Sequence, residues 1–197
     1  STISTQSLAS DICHNAPAGH CRTWQGPLDD IRKAQLLSML SSTRDIARLH
    51  AVSTTEAAEL YRSTPSTFHC TRLSGSELSI AVGLRLGLPV ARSATCICGE
   101  ILDAFGDHAL SCNRGVERFR RHNEINKRIC STLSEAGSIA VLEPPSNSAI
   151  DSRRFNGITV AAFERGRPMA WDATIVHTCA PSHLVASSAA PGAAAKQ

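Results

Sequence analysis

Four residues within a 17-residue span carry the clearest chemistry in the sequence: Cys96, Cys98, His108 and Cys112, spaced C-x-C-x9-H-x3-C. Thiolates and an imidazole at these intervals suit a tetrahedral zinc ion, because a close-set thiolate pair forms one edge of the site and a later pair supplies the other. With four protein ligands such a site is closed, and its metal is structural rather than catalytic. Gly99 follows the first pair and Gly106 precedes His108, which frees the backbone for the tight turns that wrap a small ion. Asp103 and Asp107 are expected in solvent or hydrogen-bonded behind the ligands. The competing reading is four separate, reduced, partly buried side chains. Cys13, His14, His20 and Cys21 form a second grouping, but adjacent Cys-His pairs chelate poorly and chance explains it better.

The whole chain sets limits on that chemistry. It has 197 residues, 42% hydrophobic and 19% charged, enough for one or two small domains. Its eight cysteines would suggest a disulfide framework only in a short secreted protein, and the Ser/Thr-rich start has neither the basic nor the apolar region of a signal peptide. No apolar run approaches the roughly 20 residues needed to span a bilayer. An intracellular, non-membrane setting is the expectation. Aromatics make up only 4%, so the core must be built from Leu, Ile, Val and Ala. A net charge of +3 does not itself announce a nucleic-acid binder, although 17 of the 20 basic residues are Arg, the better bidentate phosphate ligand.

The elements that must position the cluster follow from periodicity. Residues 1–27, polar and broken by Pro17, Gly19, Gly26 and Pro27, read as a flexible linker. Residues 28–92 form a helical linker region: Ile31, Leu36, Leu37, Leu40, Ile46 and Leu49 recur at near-helical spacing, Thr55 to Tyr61 favours a further helix, and Ser76 to Leu86 is a helix stopped by Gly87 and Pro89. Residues 93–115 hold the metal knuckle. The longest helix, Val116 to Ala136, carries Arg118, Arg120, Arg121, His122, Lys127 and Arg128 and ends at Gly137. A strand is expected over Ser138 to Leu142, and two more over Ile158 to Phe163 and Met169 to Val176, joined by the turn Glu164-Arg165-Gly166-Arg167. The Ala/Ser tail, 186–197, buries nothing obvious and is read as a truncated end. The fold class is therefore α+β: helical linker, zinc knuckle and a mixed core following it.

From about Asp45 onward the sequence resembles the C-terminal region of non-LTR retrotransposon polyproteins, in which a reverse transcriptase is followed by a CCHC zinc knuckle and a restriction-enzyme-like PD-(D/E)xK endonuclease. The resemblance rests on an ordered series: ARL (Ala47 to Leu49), LRLG (Leu84 to Gly87), the CCHC set, RHNEI (Arg121 to Ile125), AG (Ala136-Gly137), LEP (Leu142 to Pro144) and WDAT (Trp171 to Thr174). It implies a structural Zn2+, an endonuclease core over 116–185 that is incomplete at its C-terminus, and a nuclear setting. The partners implied are DNA, element RNA and the reverse transcriptase domain of the parent polyprotein. No paired-Asp polymerase signature occurs in this chain, so polymerase activity is not assigned to it.

The resemblance also implies a reaction, nicking of target DNA with Mg2+ or Mn2+. The metal holds the scissile phosphate and lowers the pKa of the attacking water, two strands supply acidic ligands, and a lysine stabilises the developing charge. The second acidic ligand corresponds to Asp172. The first falls in an R-P-D-G turn that here reads Arg154-Phe155-Asn156-Gly157, so the position is degenerate and a charged ligand has become an amide. Glu143 is a third candidate, or an exposed strand-end residue. The lysine has no counterpart at Thr174, two places after Asp172, and Lys196 is poorly placed to replace it. Arg118, Arg120, Arg121, His122 and Asn123 are the expected nucleic-acid contacts, able to hold phosphate without reading sequence; the alternative is a solvated basic helix face. His177 reads as a surface residue. Two functions follow: an endonuclease fragment weakened at Asn156, or a non-catalytic, zinc-dependent nucleic-acid-binding module.

Overall fold

The computed structural model describes residues 22–67, 71–145 and 154–196. Helix α1 (Arg22–Met39) begins inside the segment expected to be a linker, and it takes Pro27 in its second turn. The fixed φ of proline fits a helix, and this early in the helix the missing N–H forfeits a single bond. Leu36 and Met39 nevertheless stay exposed, while Ile31 and Leu37 of the periodic stripe are half-buried. Helix α2 (Thr43–Val52) is capped by Ser42, whose hydroxyl accepts the Asp45 N–H. The Thr55–Tyr61 stretch forms a 3-10 turn (Glu56–Ala58) running into the single-turn α3 (Glu59–Arg62).

Helix α4 (Gly75–Leu86) starts at a capping box, in which Ser74 Oγ accepts the Glu77 N–H and Glu77 accepts the Ser74 N–H at 2.7 Å. It stops where Gly87 turns left-handed, at φ 74°. Two arginines tie its C-terminal end to its neighbours. Arg48 donates to the Arg85 carbonyl at 2.6 Å, and Arg85 donates to the carbonyls of Ala57 (2.7 Å) and Val52 (3.0 Å). Charged donors on helix-end carbonyls satisfy groups that have no partner within the helix.

After the turn that carries Cys96 and Cys98 come helix α5 (Asp107–Ser111), the long α6 (Val116–Glu135) and strands β1 (Ala140–Leu142), β2 (Gly157–Thr159) and β3 (Ala170–Trp171). The strands form one antiparallel sheet in the order β1-β2-β3, with Val141 opposite Ile158 and Gly157 opposite Trp171. The α+β class expected from periodicity is present as helices plus this small sheet. One stripe of α6, His122, Asn126, Cys130 and Leu133, recurs every three or four residues, and α6 packs on β1 and β2. Gly157 is required where it stands: a Cβ there would lie 2.0 Å from the Trp171 ring.

Two expectations are corrected. The β2–β3 hairpin is shorter than the alternation suggested. Thr159 Oγ1 accepts the Met169 N–H at 2.9 Å and donates to the Ala161 carbonyl at 3.0 Å, so a side chain takes over from the ladder. At the end of β3 the Asn156 side chain, rather than a neighbouring strand, receives the Ala173 N–H. The Ala/Ser tail does bury surface: helix α7 (Leu184–Ala189) packs along α2 in the most extensive helix pairing of the fold. Ala47 on α2 and Ser187 on α7 are buried, Ala47 completely, and so is Ala194 in the 3-10 turn Ala193–Ala195 that packs on α7. Small side chains let two backbones approach closely, and such a face shows no large apolar residues by which to recognise it. No helix is long and apolar enough to cross a membrane among the described residues.

Candidate metal centre and adjoining groove

The turn that carries Cys96 and Cys98 closes on itself. Cys96 N–H donates to the Glu100 carbonyl at 2.8 Å, Gly99 N–H donates back to the Cys96 carbonyl at 2.9 Å, and Thr95 pairs with Ile101 in an antiparallel bridge. Gly99 at φ 96° and Gly106 at φ 79° take the left-handed conformations that the turns demand. Gly106 has no side chain to cap α5, and Asp103 does so instead, accepting the N–H groups of Phe105 (2.9 Å), Asp107 (3.1 Å) and His108 (2.6 Å). Burial works against the charged form of Asp103, but these three donors outweigh it and hold its pKa below the usual carboxylate value. Asp103 thus fixes the backbone from which His108 projects.

The result brings together all four residues singled out in the sequence. The ligand atoms of Cys96, Cys98, His108 and Cys112 lie within 4.8 Å of one another and can hold a metal ion such as zinc. Cys96 and Cys112 sulfurs are 3.7 Å apart, and Cys98 Sγ is 3.2 Å from His108 Nε2. A tetrahedron with Zn–S bonds of about 2.3 Å has edges of about 3.8 Å, while a disulfide would need about 2 Å. The Cys112 thiol is drawn down to about 7, first by the Arg114 backbone N–H, then by Cys96 and Cys98 and the Gly115 N–H, against the penalty of burial. Cys98 moves the other way: the Glu100 N–H lowers it, but burial and the neighbouring thiols of Cys96 and Cys112 prevail. Without an ion, three crowded sulfurs cannot all ionise; a divalent cation removes that conflict. The grouping of Cys13, His14, His20 and Cys21 lies outside the described residues.

Of the two places expected for Asp107, in solvent or hydrogen-bonded behind the ligands, it does not take the first, and His177, expected at the surface, is also largely buried. Asp107 is paired with Arg44 of α2 and accepts from His177 Nε2 at 2.8 Å, with both of these side chains about 15% exposed. Burial raises the Asp107 pKa, yet His177 and Arg44 together bring it below the ordinary value. Arg44 also lies over the Phe105 ring, 4.0 Å from its centre. One carboxylate therefore joins α2, the knuckle and the segment after β3. No motif marks this junction, because each partner is isolated in sequence.

Beside the knuckle, α6 forms one wall of an open groove of about 670 Å³ lined by Arg118, Phe119, His122, Asn123, Glu143, Ala173, Thr174 and Ile175. It continues into a smaller hollow at Asn126, Lys127, Leu142, Glu143 and Asn156. The predicted residues Arg118, His122, Asn123, Glu143 and Asn156 thus meet in one place. Others do not join them. Arg121 turns towards the knuckle and donates to the Leu110 carbonyl. Arg120 is exposed and paired with Glu117. Asp172 is exposed and outside the groove lining, and it belongs to none of the metal-binding groups among the described residues.

Asn156 has a defined structural task. Its Oδ1 accepts the Ala173 N–H at 2.6 Å and lies 3.1 Å from His122 Nε2. Asn126, buried and not singled out from the sequence, accepts the Trp171 indole N–H at 3.0 Å and donates to the His122 carbonyl at 3.1 Å. Its place in the 122–126–130–133 stripe was the available signal, since a polar residue on a buried helix face must find a partner. Lys127 was also overlooked as a groove residue; it lines the hollow with Glu143 and Asn156 and pairs with Glu124 at 3.0 Å. Comparison with family models, curated proteins and solved structures finds no match to the chain.

Proposed function

We propose that the chain is a zinc-stabilised nucleic-acid-binding module of the retrotransposon endonuclease type, holding phosphate along the α6 groove without cleaving it. The observation that carries this reading is the groove lining: among the described residues, Arg118, His122, Asn123 and Lys127 stand against a single carboxylate, Glu143. Among the described residues a two-carboxylate Mg2+ site has no counterpart there, because Asn156 supplies an amide already engaged by a backbone N–H and Asp172 lies outside the lining. In this reading the four-ligand cluster holds zinc, and Arg121, through the Leu110 carbonyl, couples the knuckle to the start of α6.

The endonuclease reading retains one observation in its favour. A long helix followed by three antiparallel strands brings Glu143, Asn156 and a lysine, Lys127, into one hollow. Nicking of supercoiled plasmid in Mg2+ or Mn2+, run beside DNA binding, separates the two. The expected result is salt-sensitive binding with no nicking by the unaltered chain. Nicking that is lost in Asp172→Ala would replace the binding module with an active endonuclease. Activity gained only in Asn156→Asp would mark the groove as a nuclease site silenced at that position.

A further inference from the structure

Phe119 is 68% exposed, yet it sits on a structured helix beside Arg118 and forms part of the groove wall. Phe119 continues the His122–Leu133 face of α6 by one turn, but its exposure puts it outside the core that this face forms against the sheet. Across the groove stands Glu143, a non-glycine residue held left-handed at φ 46°, whose position borders both parts of the groove. Cations therefore lie on either side of one carboxylate: Arg118 in the larger part and Lys127 in the smaller, nine residues apart on α6, or about 13.5 Å at the helical rise.

This pattern does not suit a duplex. The outer surface of double-stranded DNA is lined by phosphate, which Glu143 would repel at the centre of the groove. A single strand divides differently: phosphates go to the two cations, and an unpaired base turns its face to an aromatic ring and its amino or imino edge to a carboxylate acceptor. Resting on the nucleic-acid-binding reading above, we propose that the α6 groove takes a single-stranded segment, DNA or RNA, with one unpaired base stacked on Phe119. An exposed ring next to an arginine is the arrangement such stacking uses, and the groove volume falls within the range of small-ligand sites.

The test measures binding of fluorescein-labelled short single-stranded DNA, the matching single-stranded RNA and a duplex of the same length by anisotropy, using the full zinc-loaded chain. Phe119→Leu keeps an apolar side chain but removes the π face, and Phe119→Trp keeps the face. Because Phe119 is exposed, both variants should retain the zinc content and circular dichroism of the parent, which is checked first. Phe119→Leu is expected to weaken single-strand binding about tenfold, to leave duplex binding within about twofold, and to be rescued by Phe119→Trp. A difference between the DNA and RNA arms identifies which strand is preferred. Equal losses on single strand and duplex, or no loss on either, would overturn the stacking proposal while leaving the binding module in place. Absence of binding to every probe would overturn both.

Discussion

At the scale of single residues, Asp107 carries the most consequence for its size. Its carboxylate joins Arg44 and His177 within the fold, and its pKa is depressed by those partners despite burial. A depressed folded-state pKa means that the stabilisation is complete above the unfolded value and is lost as pH falls through the folded one. That places the loss below about pH 4. Asp107→Asn should therefore cost about 2 kcal/mol in urea unfolding at neutral pH, with the gap to the parent narrowing as the acid is increased through that window. A gap that stayed constant with pH would mean that the charge of Asp107 contributes nothing. Cys112 is the second such residue, a thiol drawn down to about 7 whose sulfur lies 3.7 Å from that of Cys96 in the candidate metal site. Cys112→Ser should reduce bound zinc from one equivalent to well below it by elemental analysis, since a neutral hydroxyl is a poor substitute for thiolate.

At the scale of elements, the α2–α7 pairing is the part of the fold most dependent on smallness. Ala47 on α2 is fully buried, and Ser187 is buried on α7, which packs along α2. Ala47→Leu should destabilise the chain by about 1–3 kcal/mol in chemical denaturation, because a packed site has no room for three more carbons. An unchanged midpoint would mean that α7 is not held against α2 in solution. This is also the element that the sequence concealed most fully. Ala and Ser give no hydrophobic period, so a low-complexity tail and a close-packed helix look alike until the opposing Ala47 is known. Legibility was high where a rule is local: Ser74 and Glu77 announce the start of α4, Gly87 its end, and three thiols and an imidazole in 17 residues announce a cluster that could hold a metal. It failed where the determinant is distant. Asp107 and His177 are 70 residues apart, Asn126 and Trp171 are 45 apart, and nothing near either member indicates its partner. Strand ends were misjudged for a related reason, since the side chains of Thr159 and Asn156 replace ladder partners that alternation alone would have continued.

At the scale of the whole molecule, the net charge of +3 says little about nucleic acid, because attraction depends on where the charge lies. Arg118 and Lys127 line the groove, so two cations are placed for a strand laid along it, whereas Arg120 is paired with Glu117 outside the lining. Arg121 is engaged with the knuckle and is not counted among them. Each phosphate neutralised releases condensed counterions, giving a slope of log affinity against log salt of about −0.7 per contact on a single strand. Two contacts give a slope of about −1.4, or close to a sevenfold loss between 50 and 200 mM salt. Arg118→Gln should reduce the magnitude of that slope by about 0.7 and weaken all sequences alike, because a phosphate contact carries no base information. Arg121→Gln should leave the slope nearly unchanged and lower the thermal midpoint instead, since it removes the tie between α6 and the knuckle carbonyl. Were the two substitutions to exchange these effects, Arg121 rather than Arg118 would be the phosphate ligand, and the groove would not be the surface on which the strand lies.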